Sequence, residues 1–378
     1  MIPLTIPIST AQARRIILYA QGLTKSNAFG SGPNAVIKAI NQLGYVQLDT
    51  ISVVERAHHH ILWSRIPGYQ PEWLEKAQYK HRAIFEYWAH AAAYLPIQDY
   101  RFSIPVMDVF RTKQDRWPKT SKSDMKKVLH RIREEGPLMS RDFESNHKGG
   151  TWWDWKPDKW ALQRLFLEGN LMVSHREGFQ RIYDLPERIL PANTNTTPPT
   201  AEEYYAYLIM TTLKAQGIAA RNDIIHLRKI NAHTLDIVLN QLQEEKVITS
   251  IRMNDQKNYF TLPEYLEKNI RLPDRMMIIS PFDNLIIWRK RLKDIFGFDY
   301  TLECYFSPEK RKFGYFCLPV LHKDQFLGRI DLKADRKSNS LQIKKEFWND
   351  TIFTMKKNPL YKIALTSFAE FNNCTKIG

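Results

Sequence analysis

Ten consecutive residues, Pro191-Ala192-Asn193-Thr194-Asn195-Thr196-Thr197-Pro198-Pro199-Thr200, offer almost nothing that a core could bury. Clusters of Pro, Asn and Thr connect folded segments rather than form them, so the chain divides here. Directly after the break, Thr200-x-x-Glu203 has the spacing of a capping box, in which hydroxyl and carboxylate satisfy each other's backbone N–H groups. The pattern then predicts helices over 201–215, 221–229 and 232–245, followed by strands over 247–252 and 258–262. Three helices and a two-stranded ribbon are the grammar of a winged helix-turn-helix.

The same order recurs before the break. A helix is expected over 124–135, stopped by Gly136, then a short helix over 140–145 and the loop Lys148-Gly149-Gly150-Thr151. A longer helix runs from Pro157 to Gly169. Strands over 171–174 and 179–185 form a hairpin turned at Arg176-Glu177-Gly178. Earlier still, Ser9-x-x-Gln12 opens a helix that ends at Gly22, and Pro33 and Gly44 bracket another with Val36, Ile37, Ile40 and Leu43 at helical spacing. A strand over 46–50 follows, and a returning strand over 55–65 is bent at Pro67-Gly68. Residues 72–105, rich in aromatics, read as helical packing material.

From Arg275 onward the character changes. Strands are expected over 276–280, 300–306, 314–320, 326–332 and 341–343, with one helix over 288–296. The fold class is therefore α+β: three tandem winged helix-turn-helix domains with a C-terminal β-rich domain. The expected boundaries are 1–115 for the first with a helical extension, 116–190 for the second, 191–200 for the linker, 201–270 for the third and 271–378 for the β-rich domain.

Composition narrows the partners. The 378 residues carry 55 Lys plus Arg against 40 Asp plus Glu, a formal charge of +15. A globular chain this basic suits a polyanion, and nucleic acid comes first. No apolar run approaches the ~20 residues needed to span a bilayer, and the N-terminal residues lack the pattern of a secretion signal. Cys304, Cys317 and Cys374 are scattered, with no metal-binding spacing. The expectation is a cytoplasmic monomer without cofactor or metal. The basic stretch from Trp117 to Arg133 and the Lys156/Lys159/Gln163 helix face suit either solvent or a DNA groove.

Within Val46-Gln47-Leu48-Asp49-Thr50 apolar and polar residues alternate. Side chains two apart on a strand share a face, which would set Gln47 beside Asp49. An amide and a carboxylate so placed either meet solvent or hold one water, the amide orienting it and the carboxylate accepting its proton. From pattern alone, the economical reading of the chain is a non-catalytic, multi-winged-helix DNA-binding regulator.

The run Leu43-Gly44-Tyr45-Val46-Gln47-Leu48-Asp49-Thr50-Ile51-Ser52-Val53-Val54, with Arg56-Ala57-His58-His59 after it, resembles the signature of the bacterial YcaQ/AlkX–AlkZ family of crosslink DNA glycosylases. Phe85-Glu86-Tyr87-Trp88-Ala89-His90-Ala91, Ser280-Pro281-Phe282-Asp283-Asn284-Leu285 with Phe296-Gly297-Phe298, and Arg329-x-Asp331-Leu332-Lys333-Ala334-Asp335-Arg336 agree, in order. The resemblance implies tandem winged helices with a C-terminal β domain, and Gln47-Leu48-Asp49 matches the Gln-Φ-Asp motif of the YcaQ/AlkX branch. It implies a DNA glycosylase, located with the bacterial nucleoid; nothing in the sequence marks a Schiff-base lysine, so a monofunctional enzyme is expected. Such an enzyme hydrolyses the N-glycosidic bond of N7-alkylated guanine, interstrand crosslinks included, in double-stranded DNA. Gln47 and Asp49 are then the expected catalytic pair. Arg56, His58, His59, Arg65, Lys159 and Gln163 are candidates for DNA contact, and His90 for a place near the lesion. Packing is the competing reading for the histidines: in an extended segment His58 and His60 would share one face and His59 take the other. Asp331, Lys333, Asp335 and Arg336 read as a surface ion-pair ribbon.

Overall fold

A computed structural model describes residues 5–112, 120–143, 157–228, 230–253, 257–349 and 352–378. The expected loop over 148–151 and the start of the basic stretch at Trp117 lie outside the described residues. The chain forms two compact units, one of residues 1–70 with 205–378 and the other of residues 71–204. The segments 201–270 and 271–378 thus fall almost wholly in the unit that holds residues 1–70.

In the larger unit, Ser9 caps the Thr10–Ala20 helix by accepting the Gln12 N–H at 3.1 Å. The Pro33–Leu43 helix has Pro at its start and ends at Gly44, whose φ of +73° is readily adopted only without a Cβ. Further along come the Ala201–Gln216 helix, the short Arg221–Ile224 helix, the Ala232–Glu244 helix and the strands Thr249–Arg252 and Asn258–Thr261. The middle helix stops five residues earlier than the pattern predicts. Strand Ile218–Ala219 pairs with Asn258–Thr261, which pairs in turn with Thr249–Arg252, both antiparallel. The outer edge of Thr249–Arg252 is covered over Ile251 and Arg252 by the parallel pairing of Ile6–Pro7 from the far end of the chain, which shortens the open ladder there.

The C-terminal part is a five-stranded sheet in the order Met276–Ile278, Cys317–His322, Gln325–Asp335, Ser340–Trp348, Lys376–Ile377. Against it lies the Pro359–Phe371 helix, which the sequence reading did not identify. It buries Tyr361, Leu365 and Phe368 in one core with Leu318, Ile330, Leu332 and Leu341. Two expected strands are absent. Residues 300–306 form no strand. Residues 55–65 instead hold the Ala57–Trp63 helix, whose Ala57, Ile61 and Leu62 are buried. The chain before that helix runs along the sheet: the Val53 carbonyl accepts the Ala334 N–H at 2.9 Å, and Arg336 donates to the Ser52 carbonyl at 2.9 Å. Arg336 is thus a brace for residues 52–54, not part of a surface ion-pair ribbon.

The smaller unit corrects the reading of 72–105 as helical. Its centre is an antiparallel hairpin of Ile84–Trp88 and Ala92–Pro96 in which Phe85 faces Leu95 and Glu86 faces Tyr94. Aromatic and β-branched side chains fit a pleated, half-buried surface better than a helix. Glu86, 1 % exposed, is held by Arg176 at 2.6 Å and Arg181 at 3.3 Å. Those arginines belong to the Met172–Glu177 and Gln180–Asp184 hairpin, which forms as expected but turns at Gly178-Phe179 rather than at 176–178, with Leu138–Met139 as a third strand. The Lys122–Glu135 helix ends at Gly136 and the Pro157–Leu167 helix just before Gly169, again as predicted. Residues 140–143 make one 3-10 turn.

Candidate functional site

The Gln47/Asp49 segment is built from its left edge. Asn284, 1 % exposed, donates to the carbonyls of Leu43 and Tyr45 at 3.2 and 3.1 Å, fixing where the chain leaves the Pro33–Leu43 helix. The strand that follows is Val46–Gln47 only. Val46, Gln47 and Leu48 are all buried, so the predicted in-and-out alternation fails at Gln47. The strand also ends before Asp49. Asp49 Oδ1 accepts the Ile51 N–H at 2.8 Å, a side chain closing a turn on its own backbone two residues on. Gln47 and Asp49 therefore sit either side of a strand end, not side by side on one pleat.

Asp49 is half-buried, and burial raises its carboxyl pKa, opposed in part by the Ile51 N–H. Among the described residues no Lys, Arg or His forms an ion pair with it, and Ile51 gives its one hydrogen bond. This carboxylate has Oδ2 unbonded and its charge uncompensated among the described residues. A raised pKa also makes it a better proton acceptor than a solvated aspartate. Its field reaches Cys304 and Tyr305, whose pKa values are raised by burial and then by Asp49. Neither neighbour was identified from sequence, because 300–306 read as a strand; Ser307-Pro308 directly after it was the turn signal available.

The remaining candidates separate. Arg65 is corrected outright. It is 0 % exposed, and its guanidinium grips both oxygens of the equally buried Asp283 at 2.7 and 2.9 Å. It also donates to Gln21 and Ile61. A group so enclosed cannot reach a phosphate. On the Ala57–Trp63 helix the histidines are about 100° apart, not alternating as in a strand. His58 is buried; His59 is half-buried, with Nδ1 2.8 Å from the Tyr69 hydroxyl. His60 is buried, with Nε2 donating to the Ile278 carbonyl at 2.8 Å, and burial pushes its pKa down to about 4. Arg56, half-buried, is the residue preceding that helix.

Three candidates lie in the smaller unit. Lys159 is exposed on the Pro157–Leu167 helix, and Gln163 accepts from Arg181 at 3.2 Å. Lys156, their expected partner, lies outside the described residues. His90 falls in the turn of the 84–96 hairpin, half-buried and outside the core.

Among the described residues no three His, Cys, Asp or Glu are grouped to hold a metal ion. Nor is any helix among them long and apolar enough to cross a membrane. An open depression of about 580 Å³ in the larger unit is lined by Thr366, Glu370, Asn373 and Thr375, and by neither Gln47 nor Asp49.

The comparisons with known proteins agree with this architecture. A family model described as DNA glycosylase AlkZ-like matches residues 40–358. The solved structure of Streptomyces sahachiroi DNA glycosylase AlkZ is similar to this chain with a TM-score of 0.66, covering 98 % of this chain and 99 % of that one at 14 % identity. At that identity the likeness speaks for the mixed α+β fold.

Proposed function

Since the chain belongs to the AlkZ-like DNA glycosylase family, we propose that it is a monofunctional DNA glycosylase hydrolysing the N-glycosidic bond of N7-alkylated guanine, crosslinked guanines included. The observation that supports this most is the half-buried Asp49 carboxylate, held through one oxygen and paired with no cation among the described residues.

An N7-alkylated guanine carries a positive ring and is already a good leaving group, so the reaction needs no general acid. As the bond stretches, positive charge grows on the sugar. An uncompensated carboxylate in a partly desolvated site stabilises that charge more than a solvated one would. Asp49 also takes the proton of the attacking water as it closes on C1′, and Gln47, at the end of the strand, orients that water. Water ends as the hydroxyl on C1′, the base departs neutral, and Asp49 passes its proton to solvent. No Schiff-base lysine is involved. Gln47-Leu48-Asp49 places the chain in the YcaQ/AlkX branch of the resemblance. We take the helix-and-ribbon segments within 116–190 and 201–270 as winged helices that follow duplex DNA, with residues 1–70 carrying the candidate site. Arg56, His59 and Lys159 supply contacts to the duplex, and a monomer acts on the nucleoid.

The test is incubation with duplex DNA containing N7-methylguanine, followed by alkali to cut abasic sites. Asp49→Asn should lower single-turnover cleavage at least about 100-fold, the usual scale for a positioned acid–base group, with DNA affinity little changed. The parent's rate should rise with pH as Asp49 ionises, on a limb above the ordinary aspartate value of about 3.9, because burial raises its pKa. An Asp49→Asn protein that cleaves as fast as the parent removes the assignment. A parent that prefers one undamaged sequence and leaves no abasic site points to a regulator.

A further inference from the structure

Residues 303–316 form a loop that the mechanism above does not use. It is held unusually well for a surface segment. Glu303, 5 % exposed, accepts the Phe313 and Gly314 N–H groups at 2.8 and 3.1 Å. Asp331, 8 % exposed, accepts the next two, from Tyr315 and Phe316, at 3.0 and 3.1 Å. Four consecutive amides are thus tied to two buried carboxylates. A Cβ on Gly314 would lie 2.1 Å from Asp331 Oδ2, so the brace requires glycine there. Across the loop, Phe306 N–H donates to the Glu303 carbonyl and Arg311 Nε to the Phe306 carbonyl, each at 2.9 Å.

What this rigid loop presents is apolar and cationic together. Tyr305 is 71 % exposed, Phe306 43 % and Tyr315 40 %. The Arg311 guanidinium lies 4.8 Å from the centre of the Tyr315 ring, between Lys310 and Lys312. Single exposed apolar residues need no explanation. Three large rings on one braced loop forgo burial together, which marks a binding surface. The loop's position says what it meets. Leu302 and Cys304 pack against the same core as Ile51 and Val53, and the Asp49 carboxylate acts electrostatically on Cys304 and Tyr305.

We propose that Tyr305 is the stacking platform for the alkylated purine at Asp49, with Phe306 and Tyr315 receiving adjacent bases and Arg311 a flanking phosphate. The inference rests on the glycosylase reading and adds the recognition element to it. An N7-alkylated guanine is a cationic π-surface. A tyrosine face attracts it twice, through stacking and through the ring quadrupole. An open aromatic face also accepts a bulky adduct that an enclosed pocket would exclude. The neighbouring cations complement the phosphate chain.

The experiment uses the full chain and follows single-turnover excision of N7-methylguanine from duplex DNA against protein concentration. A parallel measurement follows binding to a duplex with 2-aminopurine in the place of the target guanine, whose fluorescence reports stacking. Tyr305→Ala should raise the half-saturating concentration about tenfold or more, the range seen when a stacking aromatic is removed. It should also restore 2-aminopurine fluorescence that the parent quenches, and leave Tm unchanged because the ring is exposed. Tyr305→Phe, which keeps the ring, should rescue most of the loss. If Tyr305→Ala saturates and quenches like a cleaving parent, the platform is refuted and the glycosylase reading stands. A parent that neither excises nor binds overturns both. A Tyr305→Ala protein that melts early shows a structural ring and also refutes the platform.

Discussion

Replacing Arg65 with Met tests whether this arginine serves DNA or the fold. Its guanidinium reaches six acceptors: both Asp283 oxygens, the carbonyls of Gln21 and Ile61, the Gln21 side-chain oxygen and the Ser64 hydroxyl. Arg65 and Asp283 are both 0 % exposed, so neither can turn to water. Met fills much of the volume but strands a buried carboxylate, which keeps the Leu285 N–H at 2.9 Å. Removing one partner of a buried pair costs about 3–5 kcal/mol. For a unit of this size each kcal/mol moves Tm by about 2–4 °C, so Tm should fall by on the order of 10 °C. The double variant Arg65→Met/Asp283→Leu removes both charges and should regain at least about half of that, since the penalty is chiefly the orphaned charge. Thermal melts followed by far-UV circular dichroism give Tm, and affinity across a salt series gives the slope of log K against log salt. A phosphate-gripping arginine would lower that slope by about 1 and spare Tm. A Tm within about 2 °C of the parent with a reduced slope would refute the burial argument.

Two further outcomes follow from the larger unit. His60 is held neutral with a pKa near 4, against an ordinary value of about 6.5 once unfolded. Its contribution is therefore whole above the unfolded value and is lost as pH falls from there to about 4. The loss is roughly 3 kcal/mol at the acid end. Urea midpoints between pH 7 and 4 should drop accordingly, and a flat profile would show that the imidazole is not kept neutral. The winged-helix reading makes Ala232–Glu244 the recognition helix, yet its exposed positions Ala232, His233, Ile237, Asn240, Gln241 and Glu244 include no Lys or Arg. Glu substitutions at Asn240 and Gln241 should change DNA affinity less than about twofold and leave the salt slope intact; a loss of tenfold would place this helix in a groove.

Local signals in the sequence are realised where local physics decides them. Ser9, Pro33, Gly44, Gly136 and the Thr200/Glu203 capping box each act within one turn of a helix, and each behaves as read. The sequence fails where a template stands in for contacts. Residues 57–62 carry Ala57, Ile61 and Leu62 at helical spacing, but the expectation of a wing made them a strand. Arg65 looked like a phosphate ligand because its partner, Asp283, is 218 residues away, and no local pattern announces such a pairing. The same holds for Glu86, whose two arginines lie 90 and 95 residues on. Of the candidate site, the sequence offered Gln47 and Asp49 as a pair on one face of a strand; the structure instead sets them either side of the strand's end. The Asp49 side chain just past that end is itself the turn signal, and alternation over five residues outweighed it.

That turn ties Asp49's stability to its chemistry. A half-buried carboxylate with a raised pKa is less comfortable ionised in the folded chain than in the unfolded one. The sign follows: a carboxyl whose folded pKa lies above its unfolded value favours the fold when protonated, and opposes it once pH exceeds the folded value. At neutral pH ionised Asp49 thus opposes the fold. Asn at this position keeps an acceptor for the Ile51 N–H and removes the charge. Asp49→Asn should therefore melt above the parent at pH 7, and the gap should close as pH falls and the parent's carboxyl is protonated. A variant that loses turnover and gains Tm with this pH dependence separates a functional carboxylate from a structural one, for a structural aspartate would lose Tm instead. If Asp49→Asn melts below the parent at pH 7, the carboxylate is there to hold the turn, and the catalytic base must be sought elsewhere.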